Sequence, residues 1–498
     1  MKICNLAQCL TCNLFGGTDG GGTTSLTSVA EILAQFFYGD PDLVVSDLVA
    51  GFLLLSSVQH HEALVSEAME RDSSGLLESN KEEEDNVYAD LCDLSQFSKY
   101  AIGIYGWMLF IWSHPYLGML RLLGRTVRGC CTGKVATIHG DNIFRWHTIA
   151  LLLECNINQG DIVYANFCNT VCQPAFAVLL DHNTKTIVIS IRGTLSFDDV
   201  LTDVIAHSTN LQEPMEKVKF YAGEEDAYAH QGMLHAALWL YHEITERKIL
   251  HACFSPQDRN DKSFSNVTWK NCHEYALKVV GHSLGAGTSV LLTLMLRPYY
   301  PKIHCLAYSP PGCVLSQGAA EYSKTFVTSV VLGKDMIARA SLQRMHTLRD
   351  KVLEMITRAK VSKVTILQQV VSWHHPNDLL VPEGEEPHDV SFVAHLKEYR
   401  SMLQLRQDRE RVVELYLPGK VIHLKIRREE EERAPVGGLW VCCRPGSDGV
   451  CCTSRKNYIA RVSHRNEFNE IRISRSMLDD HFPDKVHYVL QRVMKELE

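Results

Sequence analysis

Apolar residues at Val29, Ile32, Leu33, Phe36 and Phe37 recur at the spacing of one helical face, which predicts an amphipathic helix from Ser25 onward. Gly39-Asp40-Pro41 breaks it, and a second helix is predicted over about 43–55. Residues 67–86 contain Arg71-Asp72-Ser73-Ser74-Gly75 and Lys81-Glu82-Glu83-Glu84-Asp85, and read as a solvated loop. From Tyr100 to Leu120 there is no Asp, Glu, Lys or Arg, but there are Tyr105, Trp107, Trp112 and Tyr116, with Arg121, Arg125, Arg128 and Lys134 following. As one helix this stretch would just span a bilayer core of about 30 Å. Gly103, Gly106, His114-Pro115 and Gly118 argue against an unbroken helix. Two readings stay open: an interfacial segment resting among lipid headgroups, and a helix buried in a protein core.

After Ile138 the pattern shifts to short β-like runs between helical stretches. Ala175–Leu180 and Thr186–Ile191 bracket Asp181-His182-Asn183 as a hairpin. Helices are predicted at Phe197–Ile205, Met233–Glu246 and Ala286–Leu296, and strands at Tyr275–Val280, Ile303–Tyr308 and Val327–Leu332. Strands alternating with helices imply an α/β layered domain with a mainly parallel sheet. The charged, helix-patterned stretch at about 341–410, with its Pro/Glu-rich patch at Pro382–Pro387, reads as an insertion. Val413–Leu417, Pro418-Gly419 and Lys420–Ile426 read as a second hairpin, followed by a charged loop from Arg427 to Arg433. No fixed-period repeat points to a solenoid.

The 498 residues leave room for two to four domains. Apolar residues at 46% and charged residues at 22% exclude a disordered, collagenous or coiled-coil chain. A net charge of −8 supplies no global basic field for nucleic acid. The 17 cysteines are odd in number and follow no secretory h-region, so a reducing compartment with free thiols is expected. Cys442-Cys443 and Cys451-Cys452 are adjacent pairs with no His among them, a poor zinc set that reads as surface thiols or acylation sites. Asn266-Val267-Thr268 matches a glycosylation acceptor only in form.

The chemistry centres on Gly281-His282-Ser283-Leu284-Gly285. A β-prone run precedes this G-x-S-x-G and a small-then-apolar helix start follows it, which is the strand–turn–helix context a nucleophile elbow needs. Gly281, His282 and Gly285 frame the turn, Ser283 is the candidate nucleophile, and the Leu284 amide points where an oxyanion would form. A serine at its ordinary pKa needs a base and an orienting acid. Asp335, just past the run Val327–Leu332, lies where open α/β sheets keep their sites, although a helix cap for Met336 onward would occupy the same place. His464, His481 and His487 all lie late enough to be the base; His481, in a loop before a closing helix at Val486–Leu497, is preferred. Ile187–Ile191 leads into Arg192-Gly193-Thr194, so Thr194 is the candidate second oxyanion donor. Asp198, Asp199 and Asp203 read as helix caps rather than cation ligands.

Ile191-Arg192-Gly193-Thr194, His230-Gln231-Gly232-Met233, the Gly281–Gly287 run, Leu415-Tyr416-Leu417-Pro418-Gly419 and Asp480-His481 follow the order of the fungal-type class 3 lipases. From about Ser25 onward the sequence resembles the sn-1-specific diacylglycerol lipases within them, most closely the beta type. The resemblance implies an α/β-hydrolase fold with an N-terminal helical segment. It also implies hydrolysis of the sn-1 ester of diacylglycerol to 2-monoacylglycerol, 2-arachidonoylglycerol included, and a fatty acid. It places the nucleophile on Ser283, the acid on Asp335 and the base on His481. The bond-making steps require no cofactor, while Ca²⁺ stimulation is expected from the resemblance, with no ligands named.

The implied organisation is a flexible leader at 1–24, a helical, membrane-proximal region at 25–137 and a lipase domain at 138–498. The insertion at about 341–410 corresponds to a regulatory loop over the active site, whose deletion would then raise activity. Relatives are described as membrane-anchored, at the cytoplasmic face of the cell membrane, through four N-terminal helices. No run before Ser25 spans a bilayer, so this chain reads as a shortened, cytoplasmic or peripherally bound form. The expected partners are diacylglycerol and a membrane surface, not nucleic acid, and no oligomeric state follows. The rival readings are a triacylglycerol lipase or phospholipase A1 of the same fold, and a non-catalytic lipid-binding scaffold.

Overall fold

Ile187, Ile189 and Ile191 point to one side of their strand and Val188 to the other, and both sides are buried. The same alternation places Phe176, Val178 and Leu180 opposite Ala177 and Leu179 on the neighbouring strand. A sheet built this way must be covered on both faces. The computed structural model describes residues 45–73, 81–128, 137–140, 142–168, 170–194, 207–211, 227–254, 272–368, 376–382, 390–407, 413–426, 458–474 and 476–498.

Strands β1 (Thr137–His139), β2 (Ile162–Asn166), β3 (Phe176–Asp181), β4 (Thr186–Ile191), β5 (Ser208–Asn210), β6 (Tyr228–His230), β7 (Ala276–His282), β8 (His304–Tyr308), β9 (Val327–Leu332), β10 (Lys420–Ile426) and β11 (Tyr458–Ser463) follow in chain order. The main sheet runs β1-β2-β3-β4-β7-β8-β9-β10-β11, with β5 and β6 paired separately. Strands β4, β7, β8, β9 and β10 are mutually parallel, and β3 and β11 flank them antiparallel. The 176–191 hairpin is therefore present as predicted, as are the three strands that follow.

The helices are α1 (Val45–Ser73), α2 (Lys81–Gly103), α3 (Trp107–Ser113), α4 (Gly118–Arg128), α5 (Trp146–Cys155), α6 (Gln231–Glu246), α7 (Ile249–Phe254), α8 (Leu284–Leu296), α9 (Gln317–Ser323), α10 (Leu342–Thr357), α11 (Lys363–Gln368), α12 (Pro376–Leu379), α13 (Val390–Gln407) and α14 (Pro483–Leu497). Helices α1, α6, α8 and α10 share one core with the Ile187 side of the sheet. Helices α2, α5 and α14 share a second core with the Val188 side. The G-x-S-x-G segment joins β7, in the middle of the sheet, to α8.

Several expectations are corrected. Residues 67–73 continue α1 and Lys81 opens α2, so most of the expected loop at 67–86 is helical. The charge run at 81–85 therefore lies within the start of α2. The hairpin at 413–426 does not form. Tyr416 instead exchanges backbone hydrogen bonds with Leu315, at 2.7 and 3.3 Å, and β10 pairs with β9 and β11. The ring of Pro418 fixes a negative φ, which the first central position of a two-residue hairpin turn cannot accept. The start of the expected insertion is core: Met345, Leu348, Val352 and Leu353 of α10 are buried, and α10 packs on α1.

The uncharged stretch from Tyr100 divides. Tyr100, Ile102, Ile104, Tyr105, Leu109 and Phe110 are buried, whereas Tyr116, Leu117 and Leu120 are exposed, with breaks at Gly106 and His114-Pro115. Among the described residues Ser46–Val65 of α1 is long and apolar enough to cross a membrane, and its Leu48, Phe52, Leu54 and Leu55 are core residues. The leader at 1–24, the helix from Ser25, the helix at 197–205 with Asp198, Asp199 and Asp203, Asn266 and the two cysteine pairs lie outside the described residues.

Candidate active site

Ser283 sits between the last residue of β7 and the first of α8 with φ 60° and ψ −131°, a backbone conformation that a non-glycine residue adopts only under constraint. Neighbouring glycines make the bend possible. A Cβ on Gly281 would lie 2.3 Å from the Gly285 carbonyl oxygen, and one on Gly285 would lie 2.6 Å from the Ile191 carbonyl oxygen. The Ser283 amide bonds the Tyr308 carbonyl of the adjacent strand at 2.9 Å, which ties the turn to the sheet.

The structure brings three of the predicted side chains into one line. His481 Nε2 lies 2.9 Å from Ser283 Oγ, and His481 Nδ1 lies 3.1 Å from both Asp335 carboxylate oxygens. The carboxylate requires a proton on Nδ1, which leaves Nε2 as a lone-pair acceptor for the serine hydroxyl. Burial pushes the Asp335 carboxyl up, but the His481 ring and the Ile337 amide outweigh it and hold the group below the ordinary carboxylate range. The cap and the acid are not alternatives, because Asp335 Oδ1 accepts the Ile337 N–H at 2.9 Å while facing His481. The other two histidines stand elsewhere. His464 caps the short helix at 465–468, and His487 on α14 lies 2.6 Å from Ser98.

Leu284 is the first residue of α8, so its amide belongs to the helix N-terminus beside Ser283. Thr194 follows Gly193, whose added Cβ would meet Ser283 Cβ at 3.2 Å, so the chain enters Thr194 alongside the nucleophile.

Two further anchors escaped the sequence reading. Tyr105 Oη lies 2.8 Å from His282 Nδ1, and His282 Nε2 lies 2.7 Å from the His481 carbonyl oxygen. A carbonyl only accepts, so His282 carries its proton on Nε2 and receives the tyrosine hydroxyl proton at Nδ1. Burial, with the His481 ring beside it, depresses the His282 pKa to about 3, so this ring is neutral. A Cβ added to Gly193 would lie 2.7 Å from the same tyrosine hydroxyl, so the segment entering Thr194 packs against it. A buried chain of hydrogen bonds thus connects Tyr105, the elbow and the loop of the base. On the far side of that loop, Asp480 accepts from the Lys334 amide at 2.9 Å, Ser476 Oγ at 2.8 Å and Lys485 Nζ at 2.7 Å. The only sequence signals were an aromatic ahead of Gly106 and the acid adjoining His481.

Among the described residues no group of three His, Cys, Asp or Glu side chains is placed to hold a metal ion.

The family described as Lipase (class 3) matches residues 188–345. Mouse diacylglycerol lipase-beta is 30% identical over 500 residues, covering 96% of this chain and 67% of that protein. Human diacylglycerol lipase-alpha is 31% identical over 501 residues, covering 96% of this chain but only 44% of that protein. Among solved structures, the mono- and diacylglycerol lipase from Aspergillus oryzae aligns with 51% of this chain and 75% of its own at 18% identity and a TM-score of 0.33.

Proposed function

The chain belongs to the diacylglycerol lipases of the class 3 lipase family, which are carboxylic ester hydrolases, and from that premise we propose that it cleaves the sn-1 ester of diacylglycerol. The products are 2-monoacylglycerol, including 2-arachidonoylglycerol where the sn-2 chain is arachidonate, and a free fatty acid. The observation that supports ester hydrolysis is the 2.9 Å contact between His481 Nε2 and Ser283 Oγ, backed by Asp335, while the sn-1 position rests on the resemblance.

In the first half-reaction His481 takes the Ser283 proton as Oγ attacks the ester carbonyl carbon. Asp335 keeps the imidazole in the required tautomer and stabilises the imidazolium. The Leu284 and Thr194 amides hold the tetrahedral oxyanion, and one such donor is worth about 10²–10³ in rate. His481 then returns the proton to the leaving glyceryl oxygen, monoacylglycerol departs, and the acyl group remains on Ser283. In the second half-reaction His481 takes a proton from water, hydroxide adds to the acyl carbon, and Ser283 leaves with the proton back on Oγ. Both halves balance with these residues and water. For the Ca²⁺ implied by the resemblance no group of three His, Cys, Asp or Glu side chains stands together among the described residues, and no step is routed through it.

The deciding experiment is product analysis with 1-stearoyl-2-arachidonoylglycerol in detergent micelles. Stearate and 2-arachidonoylglycerol should appear together, and both should vanish in Ser283→Ala. Release of arachidonate first would overturn the sn-1 assignment, and no turnover by folded protein would favour the scaffold reading.

A further inference from the structure

From Tyr100 to Gly140 the chain contains no acidic residue but has Arg121, Arg125, Arg128 and Lys134, in a protein whose net charge is −8. Within this stretch α4 is anchored inward by Leu122, which is fully buried against Phe110, Ile149 and Ala150. The outward side is not polar, as it would be on an ordinary surface helix. Tyr116 is 77% exposed, Leu120 64% and Val127 79%, with Leu117, Met119 and Leu123 also exposed and Arg121 and Arg125 interleaved.

A second apolar projection is linked to this small cluster through Trp146 and Trp107. Ile143 and Phe144 precede α5, and Phe144 is 70% exposed. Phe144 and Arg145 have φ of 53° and 61°, so two non-glycine residues hold left-handed backbone to present an aromatic ring outward. Phe144 leans on Trp146 at 5.8 Å, and Trp146 on Trp107 of α3 at 5.4 Å. The packing inside is sound, and the projections are deliberate in their geometry.

The position matters as much as the composition. Helix α3 starts two residues after Tyr105, which touches the elbow histidine, and its seven residues span about 10 Å. The chain that leads into α4 is therefore tied, through α3 and Tyr105, to the elbow that holds Ser283.

We propose that α4, with Tyr116 and the Ile143–Phe144 turn, docks this protein onto the surface of a lipid bilayer bearing anionic headgroups. Leucines, a valine and aromatic rings enter the headgroup–acyl boundary, while Arg121 and Arg125 stay at headgroup level and meet the negative charge. The absence of any carboxylate across Tyr100–Gly140 removes the repulsion that the rest of an acidic chain would impose. The inference rests on the reading of the site as a lipid hydrolase, since a membrane-held ester must reach Ser283; its test does not depend on turnover.

The test is co-sedimentation of the full chain with phosphatidylcholine vesicles, with and without phosphatidylserine, at low and high salt. The wild type should bind both, more tightly with phosphatidylserine, and lose that increment in salt. Leu120→Asp with Val127→Asp should abolish binding to both. Arg121→Gln with Arg125→Gln should remove only the phosphatidylserine increment, about fivefold per arginine. Turnover of a soluble short-chain ester should be unchanged in every variant, which shows the fold intact. Vesicle binding by the aspartate variant equal to wild type would overturn the proposal. So would a concentration-dependent dimer dissociated by the same variant, because the face would then belong to a second copy of the chain. Loss of diacylglycerol turnover with vesicle binding intact would count against the hydrolytic reading alone.

Discussion

The Tyr105 hydroxyl donates to His282 Nδ1 across 2.8 Å, linking the end of the α2 segment to the residue immediately before the nucleophile. Because His282 also holds the His481 carbonyl, the tyrosine reaches the base through one intermediary ring. Burial pushes the Tyr105 hydroxyl up, so it remains a protonated donor throughout the working range. Tyr105→Phe should lower kcat on a soluble ester by about tenfold, equivalent to about 1.4 kcal/mol of barrier, with KM little changed. It should also cost about 1–3 kcal/mol of stability, because His282 Nδ1 is left buried without its donor. A fall in melting temperature with kcat unaltered would reduce Tyr105 to a packing role.

Ser283→Ala should remove labelling by a fluorophosphonate probe and lower kcat by about 10⁴–10⁶-fold, with the far-ultraviolet circular dichroism unchanged. Asp335→Asn should retain slow labelling and lose about 10⁴ in kcat, because the amide favours the wrong imidazole tautomer. Full-rate labelling of either variant is the result that rejects the assignment.

The depressed pKa of His282, about 3, gives acid denaturation a defined slope. Below about pH 6.5 an unfolded chain protonates this histidine while the native state does not, so stability falls as pH drops toward about 3. Asp335 adds to the loss lower down: its stabilisation is complete above its unfolded pKa and disappears as pH falls through the lowered native value. Denaturant melts of His282→Gln between pH 4 and 6.5 should show a slope shallower by up to about 1.4 kcal/mol per pH unit. Parallel slopes in the two proteins would contradict the neutral, buried assignment.

Gly285→Ala should prevent the elbow from closing. Its new methyl would meet the Ile191 carbonyl oxygen at 2.6 Å and the Gly193 amide nitrogen at 2.7 Å, both backbone atoms that cannot swing aside. Soluble protein that reacts with the fluorophosphonate at the wild-type rate would show that the strands separate more readily than their packing suggests.

Removal of residues 341–410 should yield insoluble protein, not an activated enzyme. Helix α10 contributes Met345, Leu348, Val352 and Leu353 to the larger core, and Arg344 bonds the Gly312 and Leu415 carbonyls at 3.1 and 3.3 Å. Large apolar side chains cost about 2–5 kcal/mol each when deleted from such a core. A monomeric, folded deletion product with raised turnover would restore the view of this whole stretch as a detachable cover.

Most of the central sheet was legible because its strands are short apolar runs separated by turn or helix signals, as at Thr186–Ile191 and Val327–Leu332. The elbow was legible because strand, tight turn and helix are adjacent in sequence, and Asp335 because it follows a strand edge. What stayed hidden depends on partners far away in the chain. Nothing local at Tyr416 says that Leu315 will take its hydrogen bonds, and nothing at Lys81–Asp85 separates a charged helix start from a charged loop. Tyr105 was invisible for the same reason: its only distinction is a contact with a residue 177 positions later. Among three late histidines, preference rested on loop position, and only geometry separates His481 from a helix cap and from a partner of Ser98.

Helix α2 supplies Leu91, Leu94, Phe97, Tyr100 and Ala101 to the second core, although it precedes the matched segment 188–345 by more than eighty residues. A fragment cut to that matched segment would expose Val188, Val280, Leu306 and Val330 as a bare greasy wall. Its open strand edges would then recruit other chains. Anyone seeking a minimal catalytic unit of this protein should therefore expect precipitate from the short version, and should begin the expression boundary upstream of Lys81.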